Sequence, residues 1–283
     1  MKTLLAVIDN PDRSDDFMRY TARMAEDLNL NLYFLHIQNP RVYPLSSGAT
    51  GAAALQYENT MEVDRENALG ILETRVKELL SQMPIVITVN YGAEIGSRNM
   101  IIDQYISDNR ADMVVLEAEY KTDFWSLGSS NMDVIIQGDC PVWIIPRGID
   151  YEQYEKIVYA TDYNEADIPT LSRLIELTRR FSPEIIAFHV TESEDFEEET
   201  RQKGFEEILM KETSYEKTRI RTKVEKEEGD FGEFVNEFAL RMDADMIVLL
   251  KENRNFFERL FKSSSTIKVI TEARLPVLVF QEK

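Results

Sequence analysis

The chain holds a single cysteine, Cys140, so no disulfide can form within it. Its folding does not depend on an oxidising compartment, and the cytoplasm is the expectation. Histidine is almost as scarce: only His36 and His189 are present, with no cysteine near either. Sequence therefore offers no metal-ligand cluster, and there is no nucleophile elbow or Walker-type loop. Positive charge is outnumbered, 32 Lys and Arg against 51 Asp and Glu, for a net charge of -19. A field of that sign repels nucleic acid and anionic membrane surfaces. Long apolar runs are missing as well. The opening run Leu4 to Ile8 stops at Asp9, too short for a secretory core, and no run approaches the length that spans a bilayer.

What is present is the composition of a folded, soluble protein, 43% hydrophobic and 29% charged, in 283 residues. That length accommodates two domains of ordinary size. The sequence repeats itself. Asp9 and Asp162 each close an apolar strand that follows a lysine, and they lie 153 residues apart. His36 in LYFLHIQ and His189 in IIAFHVT share that 153-residue offset. RADMVVLEA matches DADMIVLLK and CPVWIIP matches LPVLVFQ, at offsets of 133 and 135. The first copy is thus longer by about twenty residues. The surplus falls in Asn39 to Leu55, rich in Pro, Gly, Ser and Ala, which reads as a long surface loop.

Within each copy strands and helices alternate. In the first, strands are expected at Thr3 to Ile8, Asn31 to Ile37, Ile85 to Asn90, Met113 to Leu116 and Val142 to Ile145. Ser14 reads as a helix N-cap, followed by the stripe Phe17, Thr21, Met24, Ala25 and Leu28. Ala68, Ile71, Leu72, Val76 and Leu79 line a second helix. Ile101, Ile102, Tyr105 and Ile106 mark a third, and Asn131 to Gln137 a short fourth. In the second copy strands are expected at Lys156 to Thr161, Glu184 to Val190, Arg219 to Val224, Met246 to Leu250 and Val277 to Phe280. Pro169 suits the first turn of a helix, and Glu192 to Glu199, six acidic residues in eight, reads as a solvated connection. The fold class is α/β: two tandem doubly wound domains, 1–147 and 154–283. Each is a five-stranded parallel sheet of order 3-2-1-4-5 with helices on both faces.

In such a sheet the ligand site lies beyond the carboxyl ends of strands 1 and 4, where the order reverses. Asp9 ends strand 1 and Glu117 is read as opening the loop after strand 4. Gly128-Ser129 begins a helix that can offer N–H groups to phosphate. The tandem strand–Asp modules, the two ADM strands, the GSS segment and the CPVWIIP ending resemble the universal stress protein family over nearly the whole chain. The resemblance implies that the aspartate after strand 1 contacts adenosine. It also implies that nucleotide-binding members carry Gly-x2-Gly-x9-Gly-(Ser/Thr) after strand 4, which other members lack. Carried over, the site residues are Asp9, Ile37, Glu117, Tyr120, Gly128, Ser129 and Asn131 in the first half. In the second they are Asp162, Lys251, Arg254, Ser264 and Thr266.

Glu117 and Tyr120 stand where the first two glycines would be, with a seven-residue spacer, Lys121 to Leu127. The second half has Lys251 and Arg254 there, a spacer of eight, Asn255 to Lys262, and Ser263-Ser264 in place of Gly-Ser. Tyrosine forfeits the close approach and positive φ that glycine permits. A carboxylate roughly 6 Å from phosphate, at an effective dielectric of about 20, opposes it by about 2–3 kcal/mol per unit charge, or 30- to 150-fold in affinity. Lys121 would offset part of this. In the second half Lys251 or Arg254 either receives phosphate or reaches Asp162 and plugs the pocket, and the plug is favoured. His36, His189 and Cys140 read as structural, and the aromatic pairs Phe124-Trp125 and Phe256-Phe257 as core caps. The fifth strands are edges, which the resemblance implies pair in dimers, and a tandem chain is expected to pair them internally. A homodimer and a separate protein partner stay open; nucleic acid and membrane are not expected as partners. The expected function is a non-catalytic, cytoplasmic stress-response binding or scaffold protein with degenerate nucleotide sites and no cofactor. The alternatives are an adenine nucleotide, ATP or AMP, retained in one half, and a weak ATPase or nucleotidyl-transferring enzyme.

Overall fold

A computed structural model describes residues 2–39, 51–118, 134, 140–191, 195–224, 231–251 and 274–282. The first copy runs β1 (Thr3–Ile8), α1 (Asp15–Asp27), β2 (Asn31–Gln38), α2 (Gly51–Gln82), β3 (Val89–Ile95), α3 (Arg98–Ser107), β4 (Met113–Ala118) and β5 (Val142–Pro146). The second runs β6 (Lys156–Ala160), α4 (Asp167–Thr178), β7 (Glu184–Thr191), α5 (Phe196–Thr213), β8 (Thr218–Val224), α6 (Phe231–Arg241), β9 (Met246–Lys251) and β10 (Val277–Gln281). The alternation is that of a doubly wound α/β fold.

Two compact units form. Among the described residues the first comprises 2–117 with Arg147–Tyr151, and the second 140–146 with the chain from Glu152 onward. In the first unit β3, β2, β1 and β4 lie side by side in that order, all parallel. The second unit has the order β5-β10-β9-β6-β7-β8. The strands of the second copy are parallel in the expected 3-2-1-4-5 order. Beside them β5, from the first copy, pairs antiparallel with β10, Val142 facing Val279 and Ile144 facing Val277. The two fifth strands therefore close each other's edges, and the sheet is mixed rather than purely parallel. Their pairing residues Val142, Trp143, Ile144, Val277, Leu278 and Val279 are all fully buried.

The repeated Ala-Asp-Met has a mechanical role. Asp112 Oδ2 accepts the Thr3 backbone N–H at 2.7 Å, and Asp245 Oδ2 accepts those of Glu155 and Lys156 at 2.7 Å. Each aspartate thus ties the start of strand 4 to the start of strand 1. The stripe on α1 is buried as expected: Phe17, Thr21, Met24, Ala25 and Leu28 all face the core.

Several expectations are corrected. Strand 3 lies at Val89–Ile95, with Val86 in the solvent before it. Gly92 sits inside β3, where a Cβ would run into the Tyr33 hydroxyl. It is a close-approach glycine. The surplus segment is not all loop, since α2 already begins at Gly51. Ile71 on α2 is half-exposed. Ser14 occupies the N-cap position of α1 without a side-chain capping bond. The acidic stretch before β8 is not all solvated: Asp195 caps α5 by accepting the Glu198 N–H at 2.9 Å, and Glu198 itself is buried. The expected fourth helix at 131–137 lies outside the described residues save Val134.

Candidate functional site

In the first half the carboxyl ends of β1 and β2 open onto a cavity of about 540 Å³. Its floor is Asp9 and Asn10 after β1 and His36 to Asn39 at the end of β2, and its far wall is Met61, Asp64, Ala68 and Ile71 of α2. Register explains why these meet. Ile8 pairs with His36 in the parallel ladder, so the residues that follow each diverge into the space above the sheet. The His36 ring is fixed from below: Nδ1 lies 2.7 Å from the Ile8 carbonyl, which can only accept, so Nδ1 carries a proton. Expected site residues Asp9 and Ile37 are therefore brought together on one cavity wall.

Asp9 does not face the cavity as a bare charge. Arg98, first residue of α3, forms an ion pair with it, and Arg98 Nε and Nη2 are buried without a hydrogen-bond partner. Asp12, on the rim, accepts Arg75 Nη2 from α2 at 2.9 Å. The charged groups of the cavity wall are Asp9, Asp12 and Asp64, all carboxylates.

Glu117 requires a correction. It lies inside β4 rather than in a following loop, and its side chain is 3% exposed. Arg147 grips it with both arms of the guanidinium, Nε to Oε1 at 3.1 Å and Nη2 to Oε2 at 3.0 Å. The Ser14 hydroxyl donates to Oε2 at 3.3 Å, which is where the expected capping side chain went. Burial pushes the Glu117 carboxyl up while Arg147 and then Ser14 hold it down. The nearby charge of Asp9 raises it slightly further, so the structure does bring Asp9 and Glu117 into one neighbourhood. The repulsion assigned to Glu117 from sequence neglected this arginine. A carboxylate paired at both oxygens projects little charge. Tyr120, Lys121, Gly128, Ser129 and Asn131 lie outside the described residues.

The second half repeats the frame with larger side chains at the strand ends, and a cavity of about 790 Å³ lies against them, lined by Tyr163, Asn164, Arg201, Gly204 and Phe205. His189 Nδ1 lies 2.7 Å from the Thr161 carbonyl, the counterpart of the His36 bond. Its other nitrogen, Nε2, is 3.2 Å from Glu198 Oε1 of α5. Arg201 Nη1 meets Glu198 Oε2 at 3.2 Å and Nη2 donates to the Asp162 carbonyl at 2.6 Å. Tyr163, next along, adopts a left-handed φ of 56°. Its ring lies between His189 and Phe205, centroids 4.5 and 5.1 Å away, and its hydroxyl meets Thr222 Oγ1 at 2.8 Å. Burial pushes this phenol up to about 12. Below it Asp167 is buried, accepting Tyr159 Oη at 2.6 Å, Thr161 Oγ1 at 2.7 Å and the Asn164 N–H at 3.0 Å.

The two halves differ at identifiable positions. Tyr163 corresponds to Asn10 through the 153-residue offset. On the helices, buried Leu72 and Val76 correspond to buried Phe205 and Leu209, which matches Ala68 with Arg201. A small side chain keeps the first space open where a long one crosses the second. The expected plug was Lys251 or Arg254 on Asp162; among the described residues it is Arg201 that reaches Asp162, at its backbone carbonyl, with Glu198 and Tyr163 beside it. Lys251 ends β9 opposite Gln281, while Arg254, Ser264 and Thr266 lie outside the described residues. Sequence reasoning missed Arg98, Arg147, Tyr163, Glu198 and Arg201. Only Glu198 carried a signal, its helical spacing from Phe205 and Leu209.

These features define a tandem α/β protein of two doubly wound repeats, with the first-half cavity at the ends of β1 and β2 rather than between β1 and β4 as expected. The family model described as "Universal stress protein family" matches residues 1–146 and again 153–281. The chain belongs to the universal stress protein family. It is similar to Universal stress protein MJ0531 of Methanocaldococcus jannaschii, 26% identical over 141 residues, 46% of this chain and 83% of that protein. Its fold is similar to a universal stress protein from Archaeoglobus fulgidus, with TM-score 0.70 and 14% identity, covering 99% of this chain and 98% of that one. A putative universal stress protein from Pseudomonas aeruginosa has TM-score 0.61 at 14% identity, covering 99% and 93%. Among the described residues no helix is long and apolar enough to cross a membrane.

Proposed function

We propose that the chain is a non-catalytic, cytoplasmic stress-response binding protein. Its first half takes a neutral adenine nucleoside, and its second half is closed by its own side chains. One observation carries the reading: the cavity of about 540 Å³ at Asp9 and Ile37, where the second half instead places Tyr163 and Arg201 over its strand ends and leaves a cavity on their outer side, against α4 and α5. The volume falls within the roughly 300–1,000 Å³ of small-molecule sites. The wall presents acceptors, the carboxylates Asp9, Asp12 and Asp64 among them, which suits hydroxyl and amino donors. Asp9 is paired with Arg98 and Asp12 with Arg75, and among the described residues the cavity lining includes no lysine or arginine to receive the four negative charges of ATP.

Calorimetry tests this with adenosine and ATP on the wild-type chain and on Asp9→Asn. Adenosine is expected to bind, ATP at least about tenfold more weakly. Asp9→Asn is expected to weaken adenosine by about 10-fold or more, the worth of a hydrogen bond to a charged group. Absence of adenosine binding, or ATP binding as tightly as adenosine, would sink the proposal.

A further inference from the structure

The cavity wall contains one acceptor that the fold positions and then leaves unused. The His36 ring donates through Nδ1 to the Ile8 carbonyl at 2.7 Å, which in the neutral ring leaves Nε2 as a lone-pair acceptor. His36 makes no other hydrogen bond among the described residues, and the ring forms part of the cavity wall. The corresponding nitrogen of His189 is covered by the chain, with the carboxylate oxygen Glu198 Oε1 3.2 Å away. The repeat thus shows the same imidazole with its second nitrogen covered in one half and facing a cavity in the other. An imidazole held by one nitrogen cannot rotate to find another partner, so whatever meets Nε2 must come to it.

We propose that His36 Nε2 is a specificity-determining acceptor in the first-half cavity, taking a hydrogen bond from an N–H or O–H donor of the bound ligand. The inference rests on the nucleoside reading above and narrows it: the ligand carries a donor at the depth of the β2 end, and analogues lacking that donor are discriminated against. His36 acts by direct contact with ligand, while its Nδ1 bond sets the ring's orientation. Substitution by asparagine separates the two roles, because the shorter amide can still donate to the Ile8 carbonyl but has no atom at the Nε2 position.

The experiment measures adenosine, purine riboside (no 6-amino group) and 2′-deoxyadenosine against wild type and His36→Asn. Adenosine should bind the variant about 3- to 10-fold more weakly, the usual worth of a neutral hydrogen bond. One of the two analogues should show that loss already with wild type and lose nothing further with the variant. Equal losses for all three ligands would mean a structural role only, and no loss would mean no contact; either overturns the inference and leaves the nucleoside reading intact. Failure of adenosine to bind wild type removes both together. A second measurement needs no variant: with only two histidines in the chain, the ¹⁵N resonance of His36 Nε2 can be followed in wild type. It should shift on adding adenosine and not on adding the analogue that lacks the donor, and an unmoved resonance overturns the inference.

Discussion

Replacing Arg147 with methionine isolates the charge beneath the first-half site. Glu117 would keep its place in β4, with a side chain 3% exposed, and keep only the Ser14 hydroxyl at 3.3 Å. Removing one member of a buried pair costs about 3–5 kcal/mol, because the remaining charge stays desolvated. Arg147 is itself about a third exposed (32%), so water softens the loss and the lower figure, about 3 kcal/mol, is expected. For a chain of this size that lowers the melting midpoint by about 6 °C. The loss depends on pH in a fixed direction. Glu117 titrates above its ordinary 4.5 in the folded chain because burial outweighs the pull of Arg147. An acid raised on folding costs the fold stability as pH rises from the unfolded value through the folded one. Without Arg147 the folded value climbs and the window widens upward. Urea unfolding should therefore show the deficit near 3 kcal/mol at pH 7.5 and a clearly smaller one at pH 5. Adding Glu117→Gln to Arg147→Met should restore most of it at pH 7.5. A deficit below about 1 kcal/mol that is flat with pH would refute the assignment of Arg147 as the compensating charge.

Gly92→Ala should cost about 1 kcal/mol in thermal unfolding by pushing on the Tyr33 hydroxyl, with Tyr33→Phe on the same background recovering most of it. Exchanging the filling residues for their first-half counterparts, Tyr163→Asn with Arg201→Ala, should lower stability by about 3–5 kcal/mol through lost packing. It should also open a second space, read as adenosine stoichiometry rising from one to two. A stoichiometry unchanged in a folded variant would show that the divergence at these two positions does not close the second site.

The backbone plan was readable because it rests on signals that local sequence carries. Strands covered on both faces are continuous apolar runs, and β1 and β4 could be placed to within two residues. Duplication then checked each element against its twin. The chemistry of the site was less accessible, because it is made by arginines from elsewhere. Glu117 looked like a loop carboxylate because nothing in Leu116-Glu117-Ala118 reports an arginine 30 residues on. Arg98 gave no sign of Asp9, 89 residues earlier. Composition misled over Glu192 to Glu199: six acidic residues suggested solvent, while helical phase put Glu198 under His189. Strand 3, expected to end at Asn90, runs on through Gly92, which is a packing requirement inside β3.

The contrast between the halves follows from the direction in which positive charge arrives. Each copy ends its first strand with an aspartate above a histidine that bonds the strand's own carbonyl. A carboxylate in that half-covered place needs a cation, and a guanidinium can bond several acceptors from one fixed position. In the first copy Arg98 comes from α3, a helix that contributes nothing to the cavity wall, so Asp9 is neutralised and the space under α2 survives beside Ala68. In the second, Arg201 comes from the covering helix itself and reaches Glu198 and the backbone carbonyl of Asp162, while the Asp162 carboxylate lies 3.6 Å from His189 Nδ1. Tyr163 sits at positive φ, its ring against His189 and Phe205 offsetting the strain of about 1–2 kcal/mol.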